Sequence, residues 1–221
     1  MKSARDLKEL RELASDKVLT IRLKLNNLLD EEFERAYKHG MKSAIAEKDM
    51  KKAATPEISF TQADQDAVNK LKNNPTLRGS YGNFGRTVQQ EFERIIAESF
   101  TEPSTVPGVV DSMRNVVNTE AYKLTRIART EMINVTNEGR LSAYEQRAKI
   151  RGKENRYTLI VAGGARTCDA HKELASMIPS RGLPLQELID LQMQVASRHG
   201  LSLSGRALLH PNQRTVIMRV P

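Results

Sequence analysis

The chain runs from Ser3 to Ala54 without a proline, and this run constrains the fold more than any other stretch. Apolar residues recur in it at Leu7, Leu10, Ala14, Val18, Ile21, Leu25, Leu28, Phe33, Ala36, Met41 and Ile45. Their mean step is close to one turn of an α-helix, about 3.6 residues. The spacing predicts one long helix or two nearly collinear ones, with Gly40 as the weak point, because glycine costs a helix interior about 1 kcal/mol relative to alanine. Leu29, Tyr37 and Ala44 widen the stripe beyond a two-stranded coiled-coil seam. Unbroken, such a helix spans about 75 Å, more than the width of a small domain, so it projects from the body or lies along a partner. Composition points the same way. Hydrophobic residues make up 39% and aromatics 5%, with no Trp. That is thin for a compact globule and fits an elongated, helix-rich subunit.

A second helix-forming stretch is Leu124 to Tyr144, which has no proline and a single late glycine, Gly139. Ala121, Leu124, Ala128, Met132, Val135, Gly139 and Ala143 fall on one helical face. Beside them runs a polar row, Thr130, Asn134 and Asn137, flanked by Arg129 and Glu131. Short amides and hydroxyls lower helix propensity when they only face water. The row is therefore either a half-solvated edge or a partly buried strip that pairs with another segment.

Punctuation divides the rest. Thr55-Pro56 closes the first run. Thr61 followed by Asp64 fits a capped helix start, and Pro75 marks that helix's end. Asn83 to Phe100 reads as a third helix with Val88, Phe92, Ile95, Ile96 and Ser99 inward. A turn and short helix follow, with Ser104 or Thr105 as N-cap and Pro107 in the first turn; the central helix then begins near Thr119 and ends around Lys149 to Gly152. Beyond Gly152 the period changes. Tyr157 to Ala162 and Thr215 to Val220 are short runs of β-formers, and because isolated strands are not stable they are expected to pair. Residues 163–214 form the excursion between them, containing a helix from Leu185 to Arg198 stopped at Gly200. The expected fold is α+β: a mainly helical, elongated body with a long N-terminal helix, and a small C-terminal lobe built on an antiparallel β-hairpin. The expected segments are a docking helix at 1–54, a helical body at 55–152 and the lobe at 153–221.

The first 111 residues carry balanced charge, so the whole net +8 lies in residues 112–221. A one-sided excess of this kind suits a polyanionic neighbour such as nucleic acid. Its sharpest expression is the run Arg147, Lys149, Arg151, Lys153 and Arg156, which leads out of the central helix. Several of these side chains are placed to reach phosphates of double-stranded DNA, and the absence of interleaved aromatics argues for non-specific contact. The one cysteine excludes an internal disulfide and points to a reducing compartment. No run approaches 18 apolar residues and no apolar signal segment opens the chain, so no membrane partner is expected.

Candidate chemistry is confined to the excursion. Cys168 and His171 stand in T-C-D-A-H, and His210 in L-H-P-N-Q-R. Paired strands would bring these segments together, giving three zinc ligands with a fourth place for Asp169, Gln213 or water. A structural zinc site uses four strong ligands, so no metal or other cofactor is expected, zinc being the one candidate. Nucleophilic catalysis by Cys168 with His171 or His210 as base has no supporting nucleophile turn around it. No glycine-rich phosphate loop is present: Gly163-Gly164 is too short and no Lys-Ser/Thr pair follows. The chain is not expected to be an enzyme.

Three blocks taken together resemble a known family. They are R-I-A-R-T-E at Arg126 to Glu131 with Asn137 downstream, a short strand leading to R-T-C at Arg166 to Cys168, and H-P-N-x-R at His210 to Arg214 before a terminal strand. In this order and spacing they are similar to the phage Mu F-like head morphogenesis proteins, the minor capsid or portal-associated proteins of tailed phages. Members often show C-x-x-C in the second block and H-P-x-C-R in the third. Here His171 and Gln213 stand in place of the second and last cysteines, and an amide is a poor substitute for a thiolate ligand. The resemblance implies a structural virion protein, made in the bacterial host cytoplasm and joining the head or portal vertex. It implies portal, capsid or neck proteins as partners, and a role in head morphogenesis and DNA packaging or delivery. Two other classes are weighed beside it: a metal-dependent nuclease or hydrolase centred on Cys168, His171 and His210, and a DNA-binding module with no virion role. The polar row is expected to act as a clamp, Arg129, Thr130, Glu131 and Asn137 bonding to the lobe near His210 and Arg214.

Overall fold

The computed structural model describes residues 4–47, 58–101, 106–161, 167–201 and 215–220. Mostly helical, with one small two-stranded antiparallel sheet, the fold is α+β. Helix α1 (Ala4–Ile45) is followed by α2 (Gln62–Lys72), α3 (Pro75–Thr101), α4 (Val106–Arg151), strand β1 (Arg156–Val161), α5 (Asp169–Met177), α6 (Leu185–Arg198) and β2 (Thr215–Val220). The chain forms two compact units. One comprises Met1–Glu31 and Lys72–Ile127, the other Glu32–Leu71 and Ala128–Pro221, so α1 and α4 each contribute to both. No described helix is long and apolar enough to cross a membrane.

The expected long N-terminal helix is present and runs through Gly40 without a break. Gly40 is not a weak point but a crossing point. A Cβ there would lie 2.0 Å from the carbonyl oxygen of Thr136 on α4, and a Cβ on Gly139 would lie 2.1 Å from the carbonyl oxygen of Tyr37 on α1. The two glycines, each three residues beyond the carbonyl facing the other, let the backbones touch where any side chain would force them apart. Around this crossing the second unit buries Phe33, Tyr37, Met41 and Ala44 of α1 with Val135, Leu141, Ala143 and Tyr144 of α4.

Thr61 and Asp64 form the expected capping box at the start of α2. Asp64 accepts from the Thr61 amide at 2.8 Å, and the Asp64 amide donates to Thr61 Oγ1 at 3.3 Å. Two helices are longer than their sequence signals. As expected, α2 ends at Lys72, just before Pro75, and Pro75 also opens α3 at the first helical position, where its missing N–H costs nothing. No break precedes Thr119: α4 is a single helix of 46 residues. Between Pro107 and its end it meets no further proline, and Asn118-Thr119 alone is too weak a stop against continued apolar spacing. The Thr55-Pro56 break, the Ser104 or Thr105 cap and Ala162 lie outside the described residues. In the first unit Phe84, Val88, Phe92, Ile95 and Ile96 of α3 and Val109 of α4 are buried, and Arg78 bonds Asp30 at 2.8 Å.

The strands pair as expected, in the register Tyr157↔Arg219, Leu159↔Ile217, Val161↔Thr215. Alternation then buries Leu159 and Ile217 on one face and leaves Ile160 and Val216 exposed on the other. Helix α6 matches its sequence signal residue for residue, whereas α5 had none assigned. Its nine residues bury Ala170, His171 and Leu174, a one-turn apolar spacing short enough to pass for a loop.

Candidate functional site

The polar row of α4 is buried, with Thr130 3%, Asn134 5% and Asn137 1% exposed. Asn137 shows why. Its Nδ2 donates to the Thr215 carbonyl at 2.9 Å, and its Oδ1 accepts from the Ile217 amide at 3.2 Å. Tyr157 exchanges backbone bonds with Leu183 on the side of β1 away from β2. By strand alternation, Thr215, Ile217 and Arg219 therefore turn their backbone groups away from β1. One carboxamide thus bonds the carbonyl and amide that a neighbouring parallel strand would engage opposite Val216. Arg140, one turn on, donates Nε to the Ile217 carbonyl at 2.9 Å. Side chains of α4 stand in for a third strand along the outer edge of β2, which would otherwise carry unpaired peptide groups.

Arg140 is itself 8% exposed and held by an ion pair to Glu47. The Tyr144 hydroxyl donates to Glu47 at 2.6 Å and accepts from Arg140 at 3.1 Å. Burial first, and then the bond to Glu47, raise the Tyr144 pKa well above that of a free phenol. This network ties the residue just beyond α1 to α4 and, through Arg140, to β2. Of the expected clamp, Asn137 bonds the lobe at Thr215 and Ile217. Arg129 is exposed. Glu131 is bonded within its own helix, to Asn134, and burial raises its pKa. Thr130 is buried. His210, Arg214 and Gln213 lie outside the described residues. A lone arginine on a helix looks like surface, so the sequence signal for Arg140 is only its position one turn beyond Asn137 on the buried row.

A second buried polar group, Asp64, sits 3% exposed against the same helix. It accepts from Tyr37 at 3.0 Å, from Thr61 Oγ1 at 2.7 Å, from Gln146 at 3.2 Å, and from Ser142. Burial pushes its pKa up, but the bonds from Ser142, Thr61 and Tyr37 outweigh it and hold the carboxyl below its ordinary value. The folded pKa thus lies beneath the unfolded one of about 3.9. Its stabilisation is complete above the unfolded value and lost as pH falls through the folded one. Asp64→Asn is expected to lower the unfolding free energy at pH 7 by about 2 kcal/mol. Urea titrations at pH 7 and pH 3 check this: the gap between variant and parent should narrow at pH 3.

The basic run does not stay together. Arg147 is 3% exposed and belongs to the interior, because it lies on the buried face one turn after Ala143 and Tyr144. Arg156 is half-buried and engaged: its Nε donates to the carbonyls of Arg181 at 3.2 Å and Gly182 at 3.1 Å, and its Nη2 to Gly182 at 3.0 Å. Lys149, Arg151 and Lys153 are exposed around the end of α4.

Cys168 precedes α5, and its Sγ lies 2.9 Å from Nδ1 of the buried His171. His210, the third candidate ligand, is outside the described residues, and among the described residues no cluster of three His, Cys, Asp or Glu is placed to hold a metal. An open groove beside α6, lined by Met177, Leu183, Glu187, Asp190, Leu191 and Gln194, has neither Cys168 nor His171 in its wall. No family model matches the chain, and no curated protein or solved structure matches it either.

Proposed function

We propose that the chain is a structural protein of a tailed-phage virion, a minor head or portal-vertex component that acts in head morphogenesis and in DNA packaging or delivery. The reading rests on the resemblance of three sequence blocks to the Mu F-like head morphogenesis proteins. One observation carries it further: Asn137, downstream in the first block, bonds the strand that directly follows the third. Blocks far apart in sequence would then recur together because they build one structural unit. No catalytic step and no cofactor are part of this proposal. The long α1 suits docking. Leu19 and Leu23, one turn apart, are 51% and 54% exposed, an apolar strip for a portal or capsid surface. Arg151 and Lys153, with Lys149, supply non-specific contact to packaged double-stranded DNA.

Co-expression with portal protein, followed by sedimentation of the particles, tests the role. The full chain should co-sediment, and Leu19→Asp with Leu23→Asp should abolish this without lowering the melting temperature. A chain that binds DNA but never accompanies portal or capsid particles would be a DNA-binding module outside the virion. The Cys168–His171 contact favours a second reading, a metal-dependent nuclease or hydrolase. Stoichiometric zinc in the purified protein, with metal-dependent DNA cleavage lost in Cys168→Ala, would replace the structural role.

A further inference from the structure

The turn between α5 and α6 brings a cation from outside the basic run to the start of β1. The Gly182 amide donates to the Pro179 carbonyl at 2.8 Å, closing the turn. Leu183 exchanges two backbone bonds with Tyr157, at 2.7 and 2.9 Å. Gly182 has φ +69, and a Cβ there would lie 2.7 Å from Val220 Cγ2 and 2.8 Å from the Tyr157 carbonyl oxygen. Neither the conformation nor the space admits a side chain, so the turn is seated directly on the sheet. Arg156 completes the fixing, its guanidinium bonding the carbonyls of both Arg181 and Gly182. Arg181 itself is exposed, as are Arg151 and Lys153. Lys153 stands three residues before Arg156, within about 11 Å of it along the chain.

We propose that Arg181 is a phosphate contact for duplex DNA, joining Arg151 and Lys153 in one surface, and that Arg156 is a positioning residue which fixes the turn carrying Arg181. The inference rests on the DNA contact proposed above and extends it: Arg181 joins the surface, and Arg156 serves it without touching phosphate. A guanidinium on a braced turn loses less freedom on binding than one on a mobile loop, and its planar fork matches phosphate oxygens. Glu154, exposed within the run, is the opposing charge. With no aromatic among these residues, binding follows the backbone and not the bases.

The test is the salt dependence of binding to a duplex of arbitrary sequence, measured with the full chain between 50 and 200 mM salt. Arg181→Ala should reduce the slope of log K against log salt by about 0.9, one phosphate contact, with an unchanged melting temperature. Arg156→Ala should reduce it by a similar amount, and adding Arg181→Ala to that variant should change little more. A parent that binds DNA with a slope untouched by Arg181→Ala overturns the inference and leaves the DNA contact standing. A parent that does not bind DNA even at the lowest salt removes the DNA contact itself. Weaker binding of polyglutamate by Arg181→Ala, with duplex binding intact, would overturn the inference in favour of an acidic protein partner.

Discussion

Gly139→Ala is expected to destabilise the protein by about 3 kcal/mol, although alanine is the better helix former by about 1 kcal/mol. The new methyl would sit 2.1 Å from the Tyr37 carbonyl oxygen and 2.9 Å from its carbon, both backbone atoms of α1 that cannot rotate aside. The helices must move apart, and the side chains packed around the crossing lose contact with them. Gly40→Ala meets the Thr136 carbonyl at 2.0 Å and should cost a similar amount. Because both changes open one crossing, the double variant should lose less than the sum. A reversed sign is expected in α3. A Cβ on Gly79 would meet nothing within 4 Å, so Gly79→Ala should stabilise by roughly 0.5–1 kcal/mol. Urea unfolding of the four variants checks the set. If Gly139→Ala stabilises as Gly79→Ala does, helix propensity governs both sites and the crossing is not tight.

Asn137→Ala is the second large effect expected. It leaves the Thr215 carbonyl and the Ile217 amide buried without their partner, at about 1–3 kcal/mol each, so a loss of about 3 kcal/mol follows. Asn137→Asp separates the two bonds. The carboxylate still accepts from the Ile217 amide but faces the Thr215 carbonyl with no donor, so it should lose at least as much as alanine does. Glu131 supplies the contrast. Its folded pKa is raised by burial, so folding disfavours the charged form, and the group's contribution improves as pH falls through the folded value. Glu131→Gln should therefore be neutral or slightly stabilising at pH 7. Were Glu131→Gln as damaging as Asn137→Ala, the clamp would run through the carboxylate after all.

The contrast between these two neighbours shows what the sequence could and could not convey. Periodicity carried the helices: α1 and α6, and the buried stripe of α4 past Val135, follow from where apolar residues fall. The Thr61–Asp64 box was legible because its chemistry is local, two side chains capping amides three residues apart. Partners distant in sequence were not legible. Gly40 reads as a helix breaker until Thr136 is seen against it, and Arg147 reads as part of a solvated charge run until its side of α4 proves to be the inner one. Arg140 looks like surface, and Arg156 like a phosphate contact, for the same reason. An arginine's role depends on what faces it, and the carbonyls of Ile217 and Gly182 come from segments 77 and 26 residues from the arginines that bond them. Within the clamp, spacing placed Thr130 and Asn137 on one row, yet only the strand's alternation decides that Asn137 meets a peptide edge.

The clamp is also where architecture and proposed role meet, since it ties Asn137, downstream in the first block, to the strand that follows the third. Amide hydrogen exchange of the unaltered chain tests it most directly. The Ile217 amide points away from β1, and on an open edge it would exchange as fast as a loop amide. With Asn137 capping it, Ile217 should be protected to the same degree as the Met218 amide inside the β1–β2 ladder. Exchange at Ile217 many-fold faster than at Met218 would contradict the substitution of α4 side chains for a third strand.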